Sequence, residues 1–334
     1  MPDSVTAKDA HVLGSPIAPS PTADSESDPP HIHRVIDNSI PAALTIESGE
    51  TVVFDCPGLP LPENATVEDV VARIDPDRPH TIVGPVEVND AAPGDTLAVE
   101  IIDVELIANH GHTLIIPGEG LLGQEFEAPY IHNFTWTDGA ASTELRPGVR
   151  VPLNPFCGIM GVMPEAAGEH STLPPRAIGG NLDIRHLVPG SILYLPVEAP
   201  GALFFAGDGH GAQGDGEVSI TGLETSVRAT LRFSVDRERT VKGPEFHTFA
   251  PLNVDAGKHG YYATSAVGPD LYECSQNAIR QMIDRLVAQH DLPREQALIL
   301  CSLVADLKIN EIVDRPNWLV SAYLPMNIFA TAQI

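Results

Sequence analysis

Basic residues are scarce in this chain: 19 Lys and Arg stand against 45 Asp and Glu over 334 residues, a formal charge of -26 at pH 7. A nucleic-acid binder needs a basic face that releases counterions from phosphates, and no Lys/Arg cluster here provides one, so that class is excluded. Lysine is nearly missing, at Lys8, Lys242, Lys258 and Lys308 only. An acid-rich, lysine-poor surface fits either a concentrated-salt interior, where screening suppresses self-repulsion, or an ordinary acidic enzyme from an arginine-biased genome. Cysteine is equally sparse. Cys56, Cys157, Cys274 and Cys301 include no short-spaced pair, which excludes a zinc-finger pattern and a disulfide framework and leaves reduced core residues. No apolar run approaches the roughly 18 residues of a membrane span, and the first residues lack a basic region followed by an apolar one. The expected location is therefore the cytoplasm, with no membrane partner. Also missing are a GxSxG elbow, an HExxH pair and a Gly-x4-Gly-Lys-Ser/Thr phosphate loop.

What is present is a core-forming chain. Hydrophobic residues make up 43%, and 31 prolines and 28 glycines are dispersed between short apolar runs, which favours a turn-rich, mostly β architecture over disorder. Residues 1–30, rich in Ser, Pro, Asp and Ala, are expected as a flexible acidic tail or a draped arm. Strands are predicted in ALTIESGETVVFDC (from Ala43), DTLAVEIIDVEL (from Asp95), SILYLPVEAPGALFFAGDG (from Ser191) and SVRATLRFSV (from Ser226), where apolar and polar residues alternate between Gly/Pro turns. Helical spacing of Ile279, Met282, Ile283, Leu286 and Val287 predicts one amphipathic helix. A second is predicted from Pro293 through Ala297, Leu298, Cys301, Val304 and Leu307, and a closing strand in WLVSAYLP from Trp318. The expected fold is mainly β, a sandwich or barrel core over residues 31–240, with an α+β portion over 241–334 packed on it.

The densest chemical signal is GDGHGAQGDGE, Gly207 to Glu217. It puts Asp208, His210, Asp215 and Glu217 within eleven residues that include five glycines. Such a loop has little core value, and its ionisable groups cost desolvation unless a cation, substrate or solvent satisfies them. An imidazole with carboxylates suits a divalent metal such as Zn. The plainer reading is a solvated Asp-Gly turn, against which the neighbouring apolar run ALFFA anchors the loop to the core. Asn181 and Asp183 follow two glycines in IGGNLD, a pattern an Asx turn also explains. His80 precedes a predicted strand, where a lone histidine is usually structural. His31/His33 and His110/His112 have a spacing that places both rings on one face of a strand, so they are reserve ligands together with His132. Cys157, the nearest nucleophile candidate, has apolar neighbours and reads as packing.

Taken in order, HTIVGPVEV, NDAAPGDTLAVEIIDVE, PFCGIMGVMPE, GGNLD, LYLPVEAPGALFFAGDGHGAQGDGEV and IVDRPNWLVSAYLP resemble the acetamidase/formamidase family over about residues 31–334. The chain departs from the family pattern before GGNLD, where PPRAI stands in place of a Gly-Pro-His lead-in. The resemblance implies a cytoplasmic hydrolase of C–N bonds in short linear amides, giving a carboxylate and ammonia, on a predominantly β fold. Amide hydrolysis needs a strong nucleophile, oxyanion stabilisation and a proton for the leaving nitrogen. On that basis Asp183, His210 and Asp208 are expected to hold a divalent metal, Zn by preference. Glu217 is the general base, and His80 orients substrate or adds a ligand. Asn181 and Asp215 are candidate substrate contacts, with Asp215 able to replace Asp208. A covalent carboxylate or Cys157 nucleophile, a hydrolase of a cyclic amide (γ-lactam) and a noncatalytic binder are the competing expectations. A homo-oligomer is expected from exposed sheet edges.

Overall fold

The computed structural model describes residues 10–13, 29, 31–253 and 255–330. The Val227–Asp236 strand alternates buried and open residues and pairs antiparallel with Thr51–Cys56 on one side and Thr96–Leu106 on the other. Ile192–Pro196 and the edge strand Glu245–His247 extend this sheet in one direction. In the other, His11–Leu13 adds in parallel to Thr51–Cys56, so this part of the predicted tail is a sheet edge. The rest of residues 1–30, apart from Ala10 and Pro29, lies outside the described residues.

A second sheet runs Gly179–Asn181, Phe156–Gly161, Phe204–His210, Ile82–Val88 and Ile32–His33 in space, with Leu44–Ile46 parallel to Ile82–Val88. Phe156–Gly161 and Phe204–His210 are buried at every position. Both faces of this sheet are covered, which is why these strands read as unbroken apolar and glycine runs instead of alternating. Phe204 meets Phe54 and Phe233 of the first sheet with ring centroids 5.6 and 4.9 Å apart. These rings lock the two sheets face to face.

A short helix, α1, spans Val67–Arg73, and the C-terminal part supplies a third layer. Helix α2, Leu271–His290, buries Cys274, Ala278, Ile279, Met282, Ile283 and Leu286, whereas Val287 is 37% exposed at the edge of the stripe. Helix α3, Arg294–Val304, is buried continuously from Ala297 onward. α2 packs on the Tyr261–Gly268 and Trp318–Pro325 strands and α3 on α2 and Trp318–Pro325, the Asp306–Glu311 strand completes their sheet, and the core also takes in Ile115, Phe134, Leu145 and Val151. The predicted second helix therefore stops short of Leu307, which lies in the Asp306–Glu311 strand. The Leu307 N–H donates to the Asp215 carbonyl and the Asp306 carboxylate is drawn to Arg185, so the chain leaves the helix after Val304. Mainly β structure with helices concentrated near the C-terminus is what the composition and spacing predicted.

Candidate active site

Residues 207–210 end a buried strand, so the strand predicted through Gly209 reaches His210 and the motif read as a loop starts inside the sheet. Asp208 and His210 are 8% and 1% exposed. Only the following stretch, Gly211 to Glu217, lies outside regular elements. Asp183, on the turn after the Gly179–Asn181 strand, reaches the same place. His210 is the hub. Its Nε2 lies 3.1 Å from Glu224 Oε1, 3.5 Å from Asp208 Oδ2 and 3.9 Å from Glu217 Oε1, and its Nδ1 is 4.0 Å from Asp183 Oδ1. Phe156 packs edge-on against its ring. Asp183, Asp208 and Glu217 all have left-handed backbone, at φ 49°, 56° and 42°. Non-glycine residues are uncommon there, and such residues cluster at functional sites.

Gln213 orients the hub. Its Nε2 donates to the Asp183 carbonyl at 2.8 Å, which turns its Oε1 toward His210 Nδ1, also at 2.8 Å. The Nδ1–H is therefore the donor, and Nε2 faces the carboxylates. That is the arrangement of a ligating histidine whose second nitrogen is fixed by an outer partner. Gly158 closes the cradle from the opposing strand: a Cβ there would lie 2.6 Å from Asp183 Oδ1 and 2.7 Å from Asp208 Oδ2. Asp183 Oδ1 is buried with no hydrogen-bond partner.

Four carboxyls around one imidazole cannot all be ionised unopposed. Burial and the neighbouring carboxylates push Asp183 up to about 7, against the pull of His210. Burial and Asp183 push Glu217 well above its ordinary range, and burial also raises Glu224. Burial would raise Asp208 too, but His210 and His80 outweigh it and hold that carboxyl low. Burial would lower His210, but Glu224 and Asp208 hold it well above an ordinary imidazole. The donor set, the orphaned oxygen and the cradle fit a divalent cation, and among the described residues Asp183/Asp208/His210 and His210/Glu217/Glu224 are the two groups able to hold one. The side chains of Asp183 and Glu217 are 18% exposed, against 7% or less for Asp208, His210 and Glu224. The site thus opens on the Asp183–Glu217 side.

Other predicted residues fall differently. The His80 ring accepts or donates at Thr172 Oγ1, 3.1 Å away, and its charge is felt by Asp208 and Glu224. Asn181 donates to the Leu173 carbonyl and keeps a buried, unpartnered Oδ1. Asp215 is not part of the cluster. It faces Arg185 Nε at 3.2 Å and His186 Nε2 at 3.6 Å. All four cysteines are buried and unpaired.

A profile of the acetamidase/formamidase family matches residues 20–171 and 165–331. The chain belongs to this family. It is 25% identical over 374 residues to the formamidase of Methylophilus methylotrophus, covering 89% of each chain. It resembles the crystal structure of an acetamidase from Bacillus halodurans at 28% identity and a TM-score of 0.60, over 91% of this chain and 98% of that one. The gamma lactamase of Delftia acidovorans superposes with a TM-score of 0.82 at 23% identity over 91% of both, a likeness of fold. Among the described residues no helix is long and apolar enough to cross a membrane.

In this family member Glu224, Gln213 and Gly158 belong to the site although the sequence marks them weakly or not at all. Glu224 had one signal, a lone carboxylate in the otherwise uncharged run ITGLETSV. Gln213 lay inside the main motif but cannot ionise. Gly158 acts only by lacking a side chain, so its part is visible solely in space.

Proposed function

We propose that the chain hydrolyses the C–N bond of short linear amides, formamide or acetamide, to a carboxylate and ammonia. The observation that supports this most is the convergence of Asp183, Asp208, Glu217 and Glu224 on His210 in a member of the acetamidase/formamidase family. Asp183, Asp208, His210 and Glu224 would hold the cation, Zn by its N and O ligand preference. When bound, such an ion supplies Lewis acidity, polarising an amide carbonyl and lowering the pKa of a water toward about 7. Glu217, at the open side and with its carboxyl pushed up by burial, takes the proton of the attacking water and returns it to the leaving nitrogen. His80 favours the charged form of Asp208 and would orient substrate. Asn181 Oδ1 is an acceptor for a substrate N–H. Asp215, engaged by Arg185, fastens the loop and does not contact substrate.

Four buried free thiols suit a reducing compartment, which supports placement in the cytoplasm. The edge strand Glu245–His247, with Phe246 40% and Phe249 80% exposed, supports self-association.

An ammonia-release assay on formamide, acetamide, propionamide and a γ-lactam tests the reading. Release from a linear amide is expected, lost on chelation and restored by Zn. Glu217→Gln is expected to keep its metal and lose about 10²- to 10⁴-fold in kcat. A folded, metal-free sample with full activity would overturn the metal-assisted scheme, and near wild-type turnover of the Gln variant would remove Glu217 from its role.

A further inference from the structure

A row of paired residues crosses the strands beside the site. Asn133 is the register partner of His112, His112 of Glu224, Glu224 of His210 and His210 of Phe156. Residues directly opposed across strands carry their side chains on one face, with Cβ atoms roughly 4.5–5.5 Å apart. The backbones of His112 and Glu224 exchange both hydrogen bonds, at 3.0 and 2.8 Å, so the two residues stand directly opposite each other. Asn133 fixes the His112 ring. Its Nδ2 donates to the Ala65 carbonyl at 2.9 Å, which leaves Oδ1 facing His112 Nδ1 at 2.8 Å. Nδ1 therefore carries the proton, and Nε2 presents a lone pair at the far end of the ring. That Nε2 is buried without any hydrogen-bond partner, and His112 is 2% exposed. A buried acceptor left unsatisfied costs about 1–3 kcal/mol, so a residue built this way implies a donor that arrives later. His112 lies outside both groups able to hold the cation.

We propose that His112 Nε2 is an acceptor for a substrate N–H, so that the His112–Glu224 edge of the site recognises the amino end of a primary amide. This rests on the amide-hydrolase reading above. The chemistry also separates substrate from product. A primary amide brings N–H donors to this lone pair, whereas the carboxylate product brings only lone pairs and is repelled, which favours its release.

The test compares His112→Leu, His112→Gln and Asn133→Ala with wild type, using formamide and acetamide as substrates and formate as inhibitor, with metal content and melting temperature measured on each. His112→Leu is expected to raise KM about tenfold while kcat falls much less, since the contact is made before and during the reaction. His112→Gln, which retains an acceptor, should recover most of that KM. Asn133→Ala, which frees the tautomer, should raise KM in the same sense and tighten formate inhibition by letting the ring present an N–H. If His112→Leu does not fold, the Gln and Asn133 variants carry the test. Folded, metal-replete variants with unchanged KM would overturn the assignment of His112 alone. A wild-type protein that releases no ammonia from any amide would overturn the underlying reading as well.

Discussion

Gly158 stands where three of the site's donors converge. A Cβ placed there would meet Asp183 Oδ1, Asp208 Oδ2 and His210 Cε1 at 2.6, 2.7 and 3.1 Å. Its backbone is not left-handed, so alanine brings no dihedral strain at this position, and the whole effect of Gly158→Ala falls on the volume that the donors enclose. Two carboxylates would have to move by several tenths of an ångström, and Asp183 and Asp208 are each constrained by left-handed backbone. We expect Gly158→Ala to retain its circular dichroism and to lose bound metal by at least tenfold in affinity, with activity falling in parallel. Elemental analysis of dialysed protein checks this. Full metal occupancy in the variant would show that the cation does not sit between Asp183 and Asp208. Proton balance bears on the same measurement. The push on Asp183 up to about 7, and on Glu217 well above its ordinary range, puts protons on the cluster near neutrality, so a cation must displace them and affinity should be judged at one fixed pH.

At the next scale, the site depends on how the 211–217 loop is held to the C-terminal layer. Arg185, 6% exposed, bonds Asp215 through Nε and Asp306 through Nη2, while the Asp215 N–H donates to Asp306 and the Gly214 N–H to the Ser302 carbonyl. Burial pushes the Asp306 carboxyl up and Arg185 offsets this only in part. Arg185→Met leaves Asp306, 1% exposed, with the Lys308 ammonium at 3.8 Å and the Asp215 N–H beside it, so the cost falls below the about 3–5 kcal/mol of a fully unpaired buried charge. We expect a clear fall in unfolding free energy by denaturant titration, and partial recovery in the Arg185→Met/Asp306→Leu double variant. No loss in the single variant would show that this ion pair does not fasten the loop. The same region shows why some elements were legible in the sequence and others were not. Thr51–Cys56, Thr96–Leu106, Val227–Asp236 and Trp318–Pro325 carry their own periodicity and turns, as does α2. The helix over Val67–Arg73 is hard to read from the sequence although Thr66 and Asp69 form a capping box and Val67, Val70 and Val71 have helical spacing, because it is only seven residues long, buries none of them, and its β-branched valines favour a strand. The end of α3 and the place of Asp215 are set by contacts with residues some 90 positions away, and no local pattern encodes them. Asp183, Asp208, His210 and Glu217 were legible because ionisable groups among glycines are costly unless used. Glu224 and His112 gain meaning only from cross-strand pairing.

For the molecule as a whole, the charge of -26 exceeds what the site can account for. A handful of carboxyls gather at His210, and a bound cation would offset them. On the surface, Arg73, Arg78, Arg228, Arg232, Arg280 and Arg294 are already engaged with Asp69, Glu169, Asp55, Glu100 and Glu125, leaving many acidic side chains among the described residues with no cation beside them. Their mutual repulsion acts over the Debye length, about 10 Å at 0.1 M salt and about 3 Å at 1 M. Raising KCl from 0.02 to 0.5 M should therefore lift the melting temperature by several degrees, on the scale of about 2–4 °C per kcal/mol for a chain of this class. The neutral amide itself carries no charge to be screened, so KM for formamide should move far less than stability over the same range. A melting temperature that levels off by 0.5 M marks an ordinary acidic enzyme in which long-range repulsion is already screened. A continued rise to 2 M or beyond marks a surface suited to a concentrated-salt interior. A flat response from the outset would show that the excess acidity is spread too thinly for repulsion to weigh on the fold.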